Sequence, residues 1–285
     1  MLHYYFTIRN SWVFWYYVLN ARARALYRAN TPSLNETQKR ILKEVRESGI
    51  AFATLDELFP NENLLPTLQA WEEQHRESAD AISKKDFLKS HWTMPLSFNF
   101  ENPFCKLSIR EEIFSIVNSY DMLCRSLNYI HLARTIPVGD AAPVFSQLWH
   151  RDPEEKRMMK FFLYLSDVDT ESGPFTYVKN SNYGATKYGS LFPQVLPMGV
   201  YPDEKEVSIK IKKEDIITAT GKAGTVIFCD TAGLHRGGYA KSKERIMFTS
   251  FYPSNWWAEK RRYTVPVEVA DSITSPTARY ALDLK

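Results

Sequence analysis

Trp149-His150-Arg151-Asp152 sets an imidazole and a carboxylate one residue apart. At the end of a β-strand that spacing points both side chains the same way. Such a pair is two-thirds of a 2-His-1-carboxylate facial set, which leaves positions on non-haem Fe(II) open for a cosubstrate and O₂. The third ligand must come from elsewhere, and His235 is the candidate. It lies in Thr231-Ala232-Gly233-Leu234-His235-Arg236-Gly237-Gly238, where glycines let backbone and ligand approach closely. Ten positions later Arg245 opens the run Ile246 to Tyr252. A buried arginine behind a metal histidine can grip a carboxylate with two parallel hydrogen bonds. His-x-Asp alone occurs by chance, and a surface His–Asp hydrogen bond is its plain alternative. The joint order His-x-Asp, Gly173-Pro174, His235, Arg245 is specific.

The elements that must position these residues fall into two parts. Ser33 and Glu36 have the spacing of a capping box opening a helix, with an apolar stripe at Leu34, Ile41, Leu42 and Val45 and Gly49 as its C-terminal cap. Ile50 to Leu55 reads as a short strand. Further helices are expected from Leu64 to His75 and around Ile109 to Tyr120. The charged stretch up to Lys89 is expected to be exposed, and His75 and His91 to be surface residues rather than ligands. From Leu127 the pattern becomes short aromatic or β-branched runs between turn residues: Tyr129 to Ile136, Phe145 to His150, Met158 to Leu165, Phe175 to Val178, Val207 to Ile211, Thr225 to Cys229 and Ile246 to Tyr252. Helices followed by many strands imply a mainly β core with flanking helices, a jelly roll behind an N-terminal helical layer. One domain is expected over residues 1–285, with a helical layer to 125, the core over 126–255 and an extension over 256–285.

Composition narrows the partners. The net charge of +3 is small and its basic residues are scattered, so nothing demands nucleic acid. The aromatic share of 14% suits strand faces and pocket linings alike. Cys105, Cys124 and Cys229 lack metal-ligand spacing and read as free thiols in a reducing, cytoplasmic compartment. The aromatic run Trp12 to Leu19 falls well short of the about 20 apolar residues a transmembrane helix needs. It reads as a helix docked on the core, or alternatively as a peripheral membrane or homodimer contact.

Strand alternation adds candidates. Lys160, Phe162 and Tyr164 share one face and are expected to point inward, with Met159, Phe161 and Leu163 under the helices. Lys160 or Tyr164 would assist Arg245 on a cosubstrate. Arg134 would meet an anionic substrate group, while His131 reads as structural. Asp230 is a candidate partner for a metal-bound histidine, and Cys229 a small buried hydrophobe. The long segment Asn182 to Lys205, with Tyr183, Tyr188, Phe192 and Tyr201, reads as a lid over an apolar substrate, Tyr183 and Tyr188 being its contacts.

The residues from about Tyr129 to Tyr252, with the unit Ser33 to Leu55, resemble the phytanoyl-CoA dioxygenase family of Fe(II)/2-oxoglutarate oxygenases. The resemblance is carried by W-H-R-D at Trp149 to Asp152 and L-Y-L-S-D-V-D-T-E-S-G-P-F at Leu163 to Phe175. G-T-V-I-F-C-D…L-H-R-G at Gly224 to Gly237 and R-I-M-F at Arg245 to Phe248 complete it. It implies a double-stranded β-helix, iron held by His150, Asp152 and His235, and Arg245 on the distal carboxylate of 2-oxoglutarate. The activity implied is hydroxylation of a C–H bond of a small molecule with O₂, releasing succinate and CO₂. Asp152 argues against a halogenase, which leaves the carboxylate position to chloride; desaturation and epoxidation stay open. A non-catalytic jelly-roll binding protein is the alternative from another class. The chain departs from the family at Lys179 to Asn182, where Pro-Gly-Ser-His is common, and at Leu132, where some relatives place a glutamine.

Overall fold

The structure, a computed structural model, describes residues 8, 11–77, 87–139, 142–194, 200–254 and 261–284. Its strands, in chain order, are β1 (Ile50–Thr54), β2 (Leu88–Ser90), β3 (Leu96–Ser97), β4 (Tyr129–Thr135), β5 (Met159–Tyr164), β6 (Phe175–Val178), β7 (Ile216–Ala219), β8 (Thr225–Cys229), β9 (His235–Arg236), β10 (Arg245–Tyr252) and β11 (Tyr263–Thr264). Six of them form one antiparallel sheet in the order β1-β8-β5-β10-β4-β2. A smaller antiparallel sheet has the order β7-β6-β9, and β11 pairs with β3.

Period-2 alternation gives the large sheet two different faces. Met159, Phe161 and Leu163 of β5, Val226 and Phe228 of β8, and Ile246 and Phe248 of β10 lie in one core. That core is shared with Ile41, Leu42 and Val45 of the helix Glu36–Ser48 and with Ile113, Ile116 and Val117 of the helix Glu111–Asp121. The alternate residues Phe162, Tyr164, Ile227 and Cys229 pack instead against Phe175, Tyr177 and Ala219 of the small sheet. The result is a mixed α+β arrangement of helices, large sheet and small sheet, with an apolar layer at each junction. The N-terminal helical part is not separate from the β core, because β1 is the edge strand beside β8.

Local chemistry accounts for several boundaries. The capping box at the first core helix belongs to Asn35 and Gln38, not to Ser33 and Glu36. Asn35 Oδ1 accepts from the Gln38 N–H and Gln38 Oε1 from the Asn35 N–H, both at 2.9 Å. Gly49 ends that helix with φ 85°, as expected. It also lies where a Cβ would strike the Tyr177 hydroxyl of the small sheet.

Two expected strands are not strands. Val207 to Lys210 lies in a helix, Glu204–Lys210, with Ile211 as its C-cap, because Asp203 caps the other end by accepting the Glu206 N–H at 2.7 Å and two glutamates fill its first turn. Phe145 to Gln147 is a 3₁₀ turn with Phe145 at φ 51°, locked by Gln147 Oε1 accepting the Val144 N–H. His91 is buried rather than exposed, its Nε2 at 2.8 Å from Glu72 Oε1, while His75 stacks on Trp71. Of the charged stretch expected to be exposed, residues 78–86 lie outside the described residues.

The aromatic run at the N-terminus docks Trp15 and Tyr16 against Leu123, Cys124 and Tyr280. No helix among the described residues is long and apolar enough to cross a membrane. All three cysteines are free and buried.

Candidate metal centre

His150 and His235 are brought together by backbone pairing. The N–H of His150 donates to the His235 carbonyl at 2.8 Å, and the N–H of His235 donates back at 2.9 Å. Two residues on, the Asp152 N–H donates to the Thr231 carbonyl at 3.0 Å. The His-x-Asp segment therefore runs antiparallel to the segment carrying His235, and period-2 geometry puts both of its ligands on the same side. Asp152 Oδ1 lies 3.7 Å from His150 Nε2 and 3.7 Å from His235 Nε2. The three donor atoms fall within 4.8 Å of one another, all on buried residues.

The imidazoles are oriented by one repeated device. His150 Nδ1 lies 2.8 Å from the Leu148 carbonyl and His235 Nδ1 2.9 Å from the Gly233 carbonyl, each two residues upstream. A carbonyl only accepts, so each Nδ1 carries the proton and each Nε2 presents a lone pair to the centre. Burial, and then the neighbouring His150, holds His235 down at about 3; burial likewise lowers His150. Burial alone would raise the Asp152 carboxyl, but the Lys160 ammonium beside it outweighs burial and holds the group well below the usual carboxylate range. Two neutral imidazoles and one carboxylate converging on a point fit a divalent metal with borderline N/O preference.

Small residues permit this approach. A Cβ on Gly233 would enter the Tyr177 ring, and one on Gly238 would overlap the backbone of Gly173. Gly173, at φ 69°, turns its carbonyl to accept from Arg245 Nη1. The Gly-Pro step thus holds the arginine as well as turning the chain.

The triad opens into a cavity of about 180 Å³ whose wall also includes Lys160, Phe162, Phe175 and Arg245. Arg245 is buried. Its Nη2 donates to Thr135 Oγ1 at 3.1 Å, the Tyr164 hydroxyl acts on it, and its Nε is buried without a hydrogen-bond partner. No carboxylate pairs with it among the described residues. An unpaired buried cation with a spare N–H fits an incoming carboxylate. Phe162 and Phe175 meet at 5.0 Å between ring centroids, and Phe175 also flanks His235 at 5.5 Å.

Other residues singled out in the sequence meet different partners from those expected. Lys160 does not reach toward Arg245; its Nζ bonds Asp152 Oδ2 at 2.6 Å. Arg134 faces away from the cavity, because the lining residues of β4 are His131, Ala133 and Thr135, and its Nε is 3.6 Å from Glu244. Leu132, on that same outer face, packs in the helix-side core. Tyr188 is buried with Trp149, Val178 and Leu234, its hydroxyl donating to Asp215 at 2.7 Å. Tyr183 packs by Lys156 and Arg157 beside Trp12 and Trp15.

No described residue of the expected lid lines the cavity, and residues 195–199 lie outside the described residues. Its first half is wrapped instead around Arg151, whose guanidinium donates to the carbonyls of Ser181, Tyr188, Leu191, Phe192 and Ala232. Tyr201, near its end, stands over His150 at 5.8 Å between centroids. Asp230 does not touch either histidine. It accepts from the Tyr120 hydroxyl at 2.9 Å and from the Ala232 N–H at 3.0 Å.

His131, expected to be structural, lines the cavity with Thr135, Met247 and Thr249. The signal for these was the alternation that places Arg245, Met247 and Thr249 on one face, paired in register with β4.

No protein-family model matches the sequence, and no curated protein matches it. Solved structures do resemble it. The epimerase SnoN, in complex with Fe3+, alpha ketoglutarate and nogalamycin RO, superposes with a TM-score of 0.53 at 12% identity over 84% of this chain and 90% of that one. The non-heme alpha ketoglutarate dependent carbocyclase SnoK from nogalamycin biosynthesis gives 0.52 at 16% identity over 78% and 85%. AviO1 from Streptomyces viridochromogenes Tue57 gives 0.50 at 15% identity over 80% and 100%. At such identities the likeness shows that this chain shares a fold with these structures, and nothing more.

Proposed function

We propose that this chain is an Fe(II)- and 2-oxoglutarate-dependent oxygenase acting on a small molecule, on a double-stranded β-helix core. His150, Asp152 and His235 hold the metal, and Arg245, with Thr135 and Tyr164 beside it, takes the distal carboxylate of 2-oxoglutarate. The observation that carries the reading is the pairing of two imidazoles, each fixed by a carbonyl at Nδ1, with a carboxylate oxygen 3.7 Å from both Nε2 atoms. The cosubstrates named with SnoN and SnoK support it. The W-H-R-D and Gly-Pro motifs support a phytanoyl-CoA dioxygenase-like branch.

Iron held in this way, with 2-oxoglutarate and O₂, supplies the oxidising power to break a substrate C–H bond. The protein's own residues bind and orient. The Leu148 and Gly233 carbonyls keep both Nε2 lone pairs on the centre. Arg245 fixes the far end of the cosubstrate, and Phe162 and Phe175 keep water from the wall between. In the outcome we favour, substrate C–H becomes C–OH, one atom of O₂ enters the product, and 2-oxoglutarate becomes succinate and CO₂.

The test is anaerobic addition of 2-oxoglutarate to the Fe(II)-loaded protein. A visible charge-transfer band that disappears in His150→Ala is expected. Absence of a band in the parent, or its persistence in the variant, overturns the reading. Screening small molecules for stimulated succinate release then identifies the substrate.

A further inference from the structure

Lys160 and Asp152 form a buried pair inside the candidate metal centre. Lys160 Nζ lies 2.6 Å from Asp152 Oδ2, while Oδ1 of the same carboxylate faces both Nε2 atoms. The carboxylate is thus divided, one oxygen toward the histidines and one toward a cation. Lys160 is held in place by the middle of the large sheet, opposite Cys229 on one side and Phe251 on the other. Its Nζ lies 5.2 Å from the Phe251 ring centroid and 5.9 Å from that of Tyr129.

A facial metal set does not need this lysine. Its carboxylate is there to offset the metal's charge, and Lys160 spends that charge before a metal arrives. Asp152 therefore stands against two buried cations in the cavity wall, Lys160 and Arg245. Glu154 and the Tyr129 hydroxyl also act on Lys160 electrostatically, from outside the triad. Two cations against one carboxylate leave the lining itself net positive, so a lone divalent ion entering it adds charge of the same sign, where interactions are screened less than in water. A dianion reverses the balance, since one end can pair with Arg245 while the other meets the ion.

We infer that Lys160 is a positioning residue that makes divalent-ion capture at this site conditional on a dianionic co-ligand, so that ion and dicarboxylate assemble together. The inference rests on the function proposed above. By linkage, whatever the dicarboxylate does for the ion's affinity, the ion does equally for the dicarboxylate.

The test is titration calorimetry of the full chain with Co(II), a redox-stable stand-in, with and without 2-oxoglutarate and without O₂. In the parent, 2-oxoglutarate should tighten Co(II) binding at least tenfold. Lys160→Gln keeps a hydrogen-bond donor and removes the charge. It should bind Co(II) alone at least tenfold more tightly than the parent, and its gain from 2-oxoglutarate should shrink by the same factor. Lys160→Arg should restore the parent's pattern, which a merely structural role would not require. If Lys160→Gln does not fold, as judged by circular dichroism, Lys160→Met carries the same expectation. Co(II) binding alone that is unchanged or weaker in the charge-removing variant, with the full gain from 2-oxoglutarate, overturns the inference and leaves the proposed function standing. A parent that binds no Co(II) even with 2-oxoglutarate present, or a His150→Ala variant that binds it as the parent does, overturns both.

Discussion

His150 and His235 are partners twice over. Their backbones exchange both N–H···O=C bonds at 2.8 and 2.9 Å, and their rings stand 4.3 Å apart between centroids. The backbone pair sets the ring pair, so the donor geometry exists before any ion arrives. Preformed ligands spare the cost of ordering them on binding.

Losing one imidazole should therefore cost the ion and not the fold. His150→Ala and His235→Ala each delete one of three donors while leaving the backbone bridge intact. Both are expected to lose Fe(II) or Co(II) affinity by at least a hundredfold in calorimetry, with an unchanged circular dichroism spectrum. Parent-like affinity in either variant would remove that histidine from the ligand set.

Arg245 should govern the cosubstrate rather than the metal. Its partners are Thr135 Oγ1 and the Gly173 carbonyl, and it meets no carboxylate among the described residues. Arg245→Ala is expected to weaken 2-oxoglutarate binding by on the order of several kcal/mol. Arg245→Lys should recover only part, since an ammonium lacks the planar fork. Thr135→Val should cost about 1 kcal/mol, through loss of one hydroxyl that positions the guanidinium. Calorimetry with 2-oxoglutarate on the Co(II)-loaded variants gives the order, and an Arg245→Ala variant with parent affinity would exclude this assignment.

Arg151 belongs to the same tetrapeptide as the ligands but works on the other side of it. It holds the carbonyls of Ser181, Tyr188, Leu191, Phe192 and Ala232. Arg151→Met leaves these acceptors without their donor, each buried one costing about 1–3 kcal/mol. The expected result is a protein destabilised by more than about 3 kcal/mol, with new proteolytic cleavage between residues 181 and 194. Denaturant unfolding and limited proteolysis measure both, and a variant as stable and as resistant as the parent contradicts the role.

Asp230 sets a pH dependence of stability. Burial lifts its carboxyl to about 6; the Tyr120 hydroxyl opposes the shift and Asp121 adds to it. A group that holds its proton more tightly when folded makes stability fall as pH rises, here from 3.8 up to about 6. The change across that window is on the order of 3 kcal/mol. Asp230→Asn carries no such charge, so its melting temperature should change less with pH over the window than the parent's. Parallel slopes in the two proteins would count against a buried, proton-binding Asp230.

The chemistry of the centre was legible in the sequence because it resides in residue types. Two histidines and an aspartate are a set that can serve a facial metal site, and period-2 alternation along β5 already sorted Phe162 and Tyr164 from Phe161 and Leu163. The same holds for the helix ended by Gly49, where a glycine takes the left-handed conformation that closes the turn. What alternation along one strand leaves open is which face meets which neighbour. Arg134 looks like an anion-binding residue until the register of β4 against β10 turns it outward and brings His131 in. Tyr188 looks like a lid residue until Asp215 takes its hydroxyl. Lys160 points into the cavity as its strand requires, yet only the fold sets Asp152 2.6 Å from its Nζ. The partner of a buried charge is chosen by segments distant in sequence, and a one-dimensional pattern does not contain that choice.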